Sequence, residues 1–137
     1  MNEAQRQLVQ SWLTKAQRDL ASARVLAAHD KPLLDTAVYH CQQAAEKAVK
    51  GFLVFHDCEF EKIHDIETLI HSAIPCESKF SSWMKVGRLL TPYARIFRYP
   101  GDAVEPSIEQ FEQAMFSATK LYEFVLSVLP EEVHPEK

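Results

Sequence analysis

The chain has 137 residues, 47% of them apolar and 25% charged, with a net charge of −4 and a pI near 5.8. That is enough chain for one domain with a real core, needing neither disulfides nor a structural metal. It excludes a globally basic nucleic-acid coat, and three unclustered glycines argue against a phosphate-cradling loop.

The first periodic stretch is Ala4 to His29, where Leu8, Trp12, Ala16, Leu20, Ala23 and Ala27 recur at helical steps. Gln5, Lys15, Gln17, Arg18 and Arg24 fall on its outer face. This opening is mostly polar, unlike a signal peptide. With Cys41, Cys58 and Cys76 odd in number and without CxxC spacing, it reads as a cytoplasmic chain with free thiols. No apolar run approaches the ~18 residues of a membrane span.

Thr36 to His56 is the stretch with the strongest signal. Ala37, Val38, Cys41, Ala44, Ala45, Ala48, Val49, Phe52, Leu53 and Phe55 fill one broad apolar arc. That arc is wider than the roughly 100° stripe of a helix lying on one side of a core. The spacing predicts the central helix of a bundle or of a dimer, with Asp35 or Thr36 as its cap. Its other side carries Thr36, Tyr39, His40, Gln42, Gln43, Glu46, Lys47 and Lys50. Two readings stand for that side: a solvated face, or one wall of a site for an anionic ligand. Glu46 and Lys50 form an i,i+4 pair in the favourable order.

A short helix is predicted over Asp65 to Ile74, with Ile66, Leu69, Ile70 and Ala73 inward and His64 at its entrance. A fourth runs from about Phe80 to Arg98, with a kink expected at Pro92. On a helical wheel Arg88, Thr91, Arg95 and Arg98 share about a quarter turn, with Tyr93 and Tyr99 beside them. Guanidinium groups suit bidentate recognition of phosphate or carboxylate. The other reading of this stripe is a basic face paired with some of the chain's nineteen acids. The last helix begins at Ser107, which with Gln110 fits a capping box, and Pro130 ends it. Residues 1–130 thus form a single helical domain, and 131–137 a flexible tail. The fold class is all-α, an up-and-down four-helix bundle with an additional short helix.

No nucleophile elbow, Walker loop, dinucleotide fingerprint or spaced metal ligands appear, so neither a metal nor a cofactor is expected. His40 and His64 are the residues whose chemistry suits proton transfer. Cys41 lies on the buried arc and reads as core.

Three strings, AVYHCQQAAEKAVKGFLVFH, IHDIETLI and LLTPYARIFRYP, together with WLTKAQRDLASARVL at the start, resemble the HEPN domain. The resemblance spans Trp12 to Leu126. It implies a bundle of about five helices that pairs into a homodimer, often partnered by a small nucleotidyltransferase in toxin–antitoxin systems. Other members bind nucleotides, and a subset are metal-independent RNases. The RNase members carry an arginine followed, four to six residues later, by a histidine. Here Arg88, Arg95 and Arg98 have no histidine at that distance, so the chain is expected not to be an enzyme. Tyr99 is a loose analogue of a tyrosine modified in some toxins, and Arg98-Tyr99-Pro100 resembles the non-RNase branch. The expected function is a dimeric binding module for a nucleotide phosphate or a nucleotidyltransferase, without a membrane. Its candidate site is Arg88, Arg95, Arg98 and Tyr99 with His40, Gln43, Lys47, Lys50 and His64. The alternatives are an endoribonuclease toxin acting on RNA with a displaced histidine, or a purely structural dimeric partner.

Overall fold

The computed structural model describes residues 1–101 and 105–136. Five α-helices follow in order: α1 (Glu3–Ala28), α2 (Leu34–Phe55), α3 (Ile66–Ala73), α4 (Met84–Leu90) and α5 (Ile108–Ser127). No strand occurs among the described residues. The all-α class is therefore as the periodicity predicts.

The broad arc of α2 makes it the centre of the domain. It packs against α1, α3, α4 and α5, and its arc from Ala37 to Leu53 is almost wholly buried. Neither Asp35 nor Thr36 caps it. Leu33 holds that position without a side-chain bond, and the Asp35 carboxylate instead accepts from the Thr36 amide at 2.8 Å.

On α1 the inward line is Val9, Leu13, Ala16, Leu20 and Ala23, so Leu8 and Trp12 yield to the apolar residues that follow them. Both lines have helical spacing, and packing against α2 decides between them. Ala16, Leu20 and Ala23 leave Asp19 on the same inward arc, where it is 7% exposed.

Asp65 caps α3 by accepting from the Thr68 amide at 3.1 Å. The expected box at α5 is complete: Ser107 Oγ accepts from the Gln110 amide, and Gln110 Oε1 accepts from the Ser107 amide. Phe52, Phe80 and Phe124 form a chain of tilted and edge contacts, with Trp83 stacked on the last.

The long fourth helix is not formed. A 3-10 turn over Ser78–Trp83 leads into the seven-residue α4, and a second 3-10 turn follows at Thr91–Ala94. Pro92 lacks the N–H that would bond the Arg88 carbonyl, so it ends the α-helix where a kink was expected. Thr91 Oγ1 donates to the Gly87 carbonyl at 2.7 Å and accepts from the Ile66 amide at 3.0 Å. This ties α4 to the start of α3.

In the segment expected as a flexible tail, Glu131–Val133 make one 3-10 turn with Val133 buried. His134 Nε2 lies 2.9 and 3.1 Å from the Leu126 and Leu129 carbonyls. Lys137, at the end of that segment, lies outside the described residues.

Candidate functional site

The polar side of α2 splits into two networks, each built on a buried carboxylate, and one open cleft. In the first network, Asp19 of α1 is held between His40 Nδ1 and Lys47 Nζ, each at 2.8 Å. A carboxylate only accepts, so His40 Nδ1 carries the proton and donates it. That leaves Nε2, which meets no partner among the described residues.

The second network centres on Glu46, 3% exposed. Its carboxylate accepts from Lys50 Nζ at 2.8 Å, His64 Nδ1 at 2.7 Å and Gln42 Nε2 at 3.1 Å. Gln42 also donates to the His64 carbonyl at 2.9 Å, and Gln43 donates to Gln42 Oε1 at 2.6 Å. The Lys50 ammonium lies 5.7 Å from the rings of Trp12 and Phe60. Burial by itself would raise the Glu46 carboxyl, but the bonds from Lys50, His64 and Gln42 outweigh it and hold the group below its ordinary 4.5. Gln43, Lys47, Lys50 and His64 are thus engaged with partners inside the domain.

The arginine stripe is dispersed as well, because the helix that would have aligned it is broken. Arg88 pairs with Glu67 of α3. Arg95 is exposed, and its guanidinium meets no partner among the described residues. Phe97 adopts the left-handed backbone region, with φ of 71°, while its ring stacks on Tyr93. The chain reverses there, and the Arg98 guanidinium carbon sits 4.0 Å above the Tyr39 ring. Arg98 also donates to the Ala94 carbonyl at 3.1 Å. Tyr99 is exposed beside it, its ring 5.8 Å from the same guanidinium.

Arg98 and His40 therefore meet. Asp35, Thr36, Tyr39 and His40 on the first turns of α2 line a hollow of about 220 Å³ with Phe97 and Arg98. His40 and Thr36 also border a wider apolar groove of about 540 Å³, walled by Arg18, Ala21, Ser22, Val25 and Leu26. A guanidinium, a hydroxyl and the positive end of a helix on one hollow can hold an anion beside an apolar group.

Asp19 is the residue that sequence reading misses. Its position among inward apolar residues was the available signal. Burial pushes the Cys41 thiol up to about 12, which fits a core residue and not a nucleophile. Among the described residues no three His, Cys, Asp or Glu side chains gather closely enough to hold a metal ion, and no helix is long and apolar enough to cross a membrane.

The family profile described as HEPN domain matches residues 9–129. Two solved structures share the fold. The archaeal HEPN homologue ST0689 is 25% identical, covering 87% of this chain and 95% of its own, at a TM-score of 0.67. TT1696 from Thermus thermophilus is 23% identical, covering 90% and 99%, at a TM-score of 0.75. No curated protein matches the chain.

Proposed function

The chain belongs to the HEPN domain family, and on that premise we propose that it is a non-catalytic binding module for a nucleotide phosphate. The observation that carries this reading is the meeting of Arg98 and His40, 58 residues apart in sequence, on one hollow at the start of α2. The phosphate would take Arg98 and Thr36 as donors beside the His40 ring, and the base would rest on the apolar wall of Ala21, Val25 and Leu26.

Thermal melting with ATP, GTP, AMP and a short RNA tests this. A ligand at 100 times its Kd adds about 2.7 kcal/mol to the native state. Arg98→Ala should weaken binding by roughly 10- to 100-fold, the cost of losing a charge-assisted bond. Arg88→Ala should leave binding unchanged, since that side chain is committed to Glu67. No stabilisation by any of these ligands in well-folded protein would overturn the reading.

Homodimerisation and pairing with a small nucleotidyltransferase belong to the same proposal. Val25 and Phe116 are 70% and 65% exposed. Phe116 lines a largely apolar hollow of about 340 Å³ between α1 and α5 with Arg24, Phe111 and Met115. Such a patch marks an interaction surface. Sedimentation should show a dimer that Phe116→Glu shifts toward monomer; a monomeric wild type at tens of micromolar would remove this part.

One observation favours a second reading, metal-independent RNA cleavage. The Asp19–His40 pair orients the imidazole as a general base is oriented, with Nε2 left to take a proton from a 2′-hydroxyl and Arg98 placed to stabilise charge on the phosphate. Cleavage of RNA in EDTA, lost in His40→Gln, would select it over pure binding.

A further inference from the structure

Outside the cleft, Cys58 and Cys76 are a pair of reactive side chains that the function does not use. Their sulfurs lie 3.7 Å apart, although the residues are 18 positions apart in sequence. Cys58 follows the end of α2, where Asp57, with φ of 56°, turns the chain and the Cys58 amide bonds back to the Leu53 carbonyl at 2.9 Å. Cys76 follows α3, its amide bonded to the Ala73 carbonyl at 3.0 Å. Each thiol is therefore held by a helix end that is itself anchored in the core. An S–S bond of ~2.05 Å asks for less than ~1 Å of movement by each sulfur.

We propose that Cys58 and Cys76 are a reversible dithiol–disulfide site for small disulfides of the oxidised-glutathione class, and that the closed form fastens the α2–α3 connection. Cys76 is exposed and Cys58 half-buried, so reaction enters at Cys76. Burial raises the Cys58 thiol, and its hydrogen bond with Cys76 adds to this, so less of it is thiolate and it does not start the reaction. The Cys76 thiolate, having released its proton, attacks one sulfur of the small disulfide. A mixed disulfide forms, and the expelled thiolate takes up a proton. Cys58, losing its own proton, then attacks the Cys76 sulfur and the second small thiol leaves protonated. Two electrons and two protons pass from the protein pair to the small disulfide, which departs as two thiols. Cys41, fully buried, takes no part.

The closed form bridges a stretch that carries Phe60, whose ring lies against Lys50, and His64, which bonds Glu46. The exposed Lys62 lies in the same stretch. The test is to incubate the full chain with oxidised glutathione, then follow intact mass, peptide maps and tryptic cleavage at Lys62. Wild type should become lighter by two hydrogens through a 58–76 bond, and dithiothreitol should reverse it. Cys58→Ser should stop as a glutathione adduct on Cys76, and Cys76→Ser should react far more slowly. Cleavage at Lys62 should slow by about fivefold or more in the oxidised form, as local opening becomes costlier. A lasting adduct on wild-type Cys76, a bond between two chains through Cys76, or unchanged cleavage at Lys62 would each overturn the proposal.

Discussion

Replacing Glu46 with alanine should lower stability by about 3–5 kcal/mol, the range for removing one partner of a buried ion pair. The change strands the Lys50 ammonium, 7% exposed, takes from His64 Nδ1 the oxygen it bonds, and leaves Gln42 Nε2 only the His64 carbonyl. Glu46→Gln keeps the shape and one acceptor oxygen, so its loss should be smaller. Urea midpoints at unchanged m-value measure both; a loss under about 1 kcal/mol for the alanine variant would show that the network relaxes around the gap. The same carboxyl sets an acid limit. Its folded value lies below the ordinary 4.5, so its contribution is fully present above about 4.5 and is lost as pH falls through the folded value. Wild type should therefore lose stability below pH ~4.5 more steeply than Glu46→Gln, which has no proton to gain at that position.

Gly87→Val should cost about 2–4 kcal/mol by overpacking. A Cβ at Gly87 would stand 3.0 Å from both the Cα and the amide nitrogen of Glu67, and 3.2 Å from Ile70 Cδ1. The first two are backbone, which cannot swing aside, so valine must push α4 off α3. Gly87→Ala should be milder, because alanine gains about 1 kcal/mol of helix propensity against a tight contact. Thermal melting distinguishes them; a valine variant as stable as wild type would mean the two short helices separate freely. Such separation would also disturb the Thr91 bonds that join α3 to α4.

The bounds of α1, α3 and α5 were legible because apolar period and local caps agree there: Asp65 and Ser107 act within their own first turns. α4 was not legible, since Trp83, Val86, Leu90, Ala94 and Phe97 keep a three- or four-residue step through both 3-10 turns and α-helix alike. A wheel built on one uninterrupted helix then gathers Arg88, Arg95 and Arg98 artificially. The surroundings of the candidate residues were half legible. His40 and Arg98 line one hollow with Tyr99 beside Arg98, whereas Lys50 and Gln43 bond Glu46 and Gln42 within α2, and Lys47 and His64 bond Asp19 and Glu46 across elements. Lys47 is satisfied by Asp19, 28 residues earlier, and no local pattern announces such a pairing. The arginines are spread by the broken helix, and only Arg98 shares a hollow with the start of α2.

The Asp19 bridge has one more consequence, for how α1 and α2 find their alignment. The buried arc of α2 mixes Ala37, Ala44, Ala45 and Ala48 with the bulkier Val38, Val49, Phe52 and Leu53, and a slip of one helical turn would misplace the larger groups. It would also carry His40 and Lys47 about 5.4 Å past Asp19, leaving a buried carboxylate without cations. Misaligned packings are therefore disfavoured by electrostatics as well as by shape. The charges inside this bundle act as an index mark for the alignment of its first two helices.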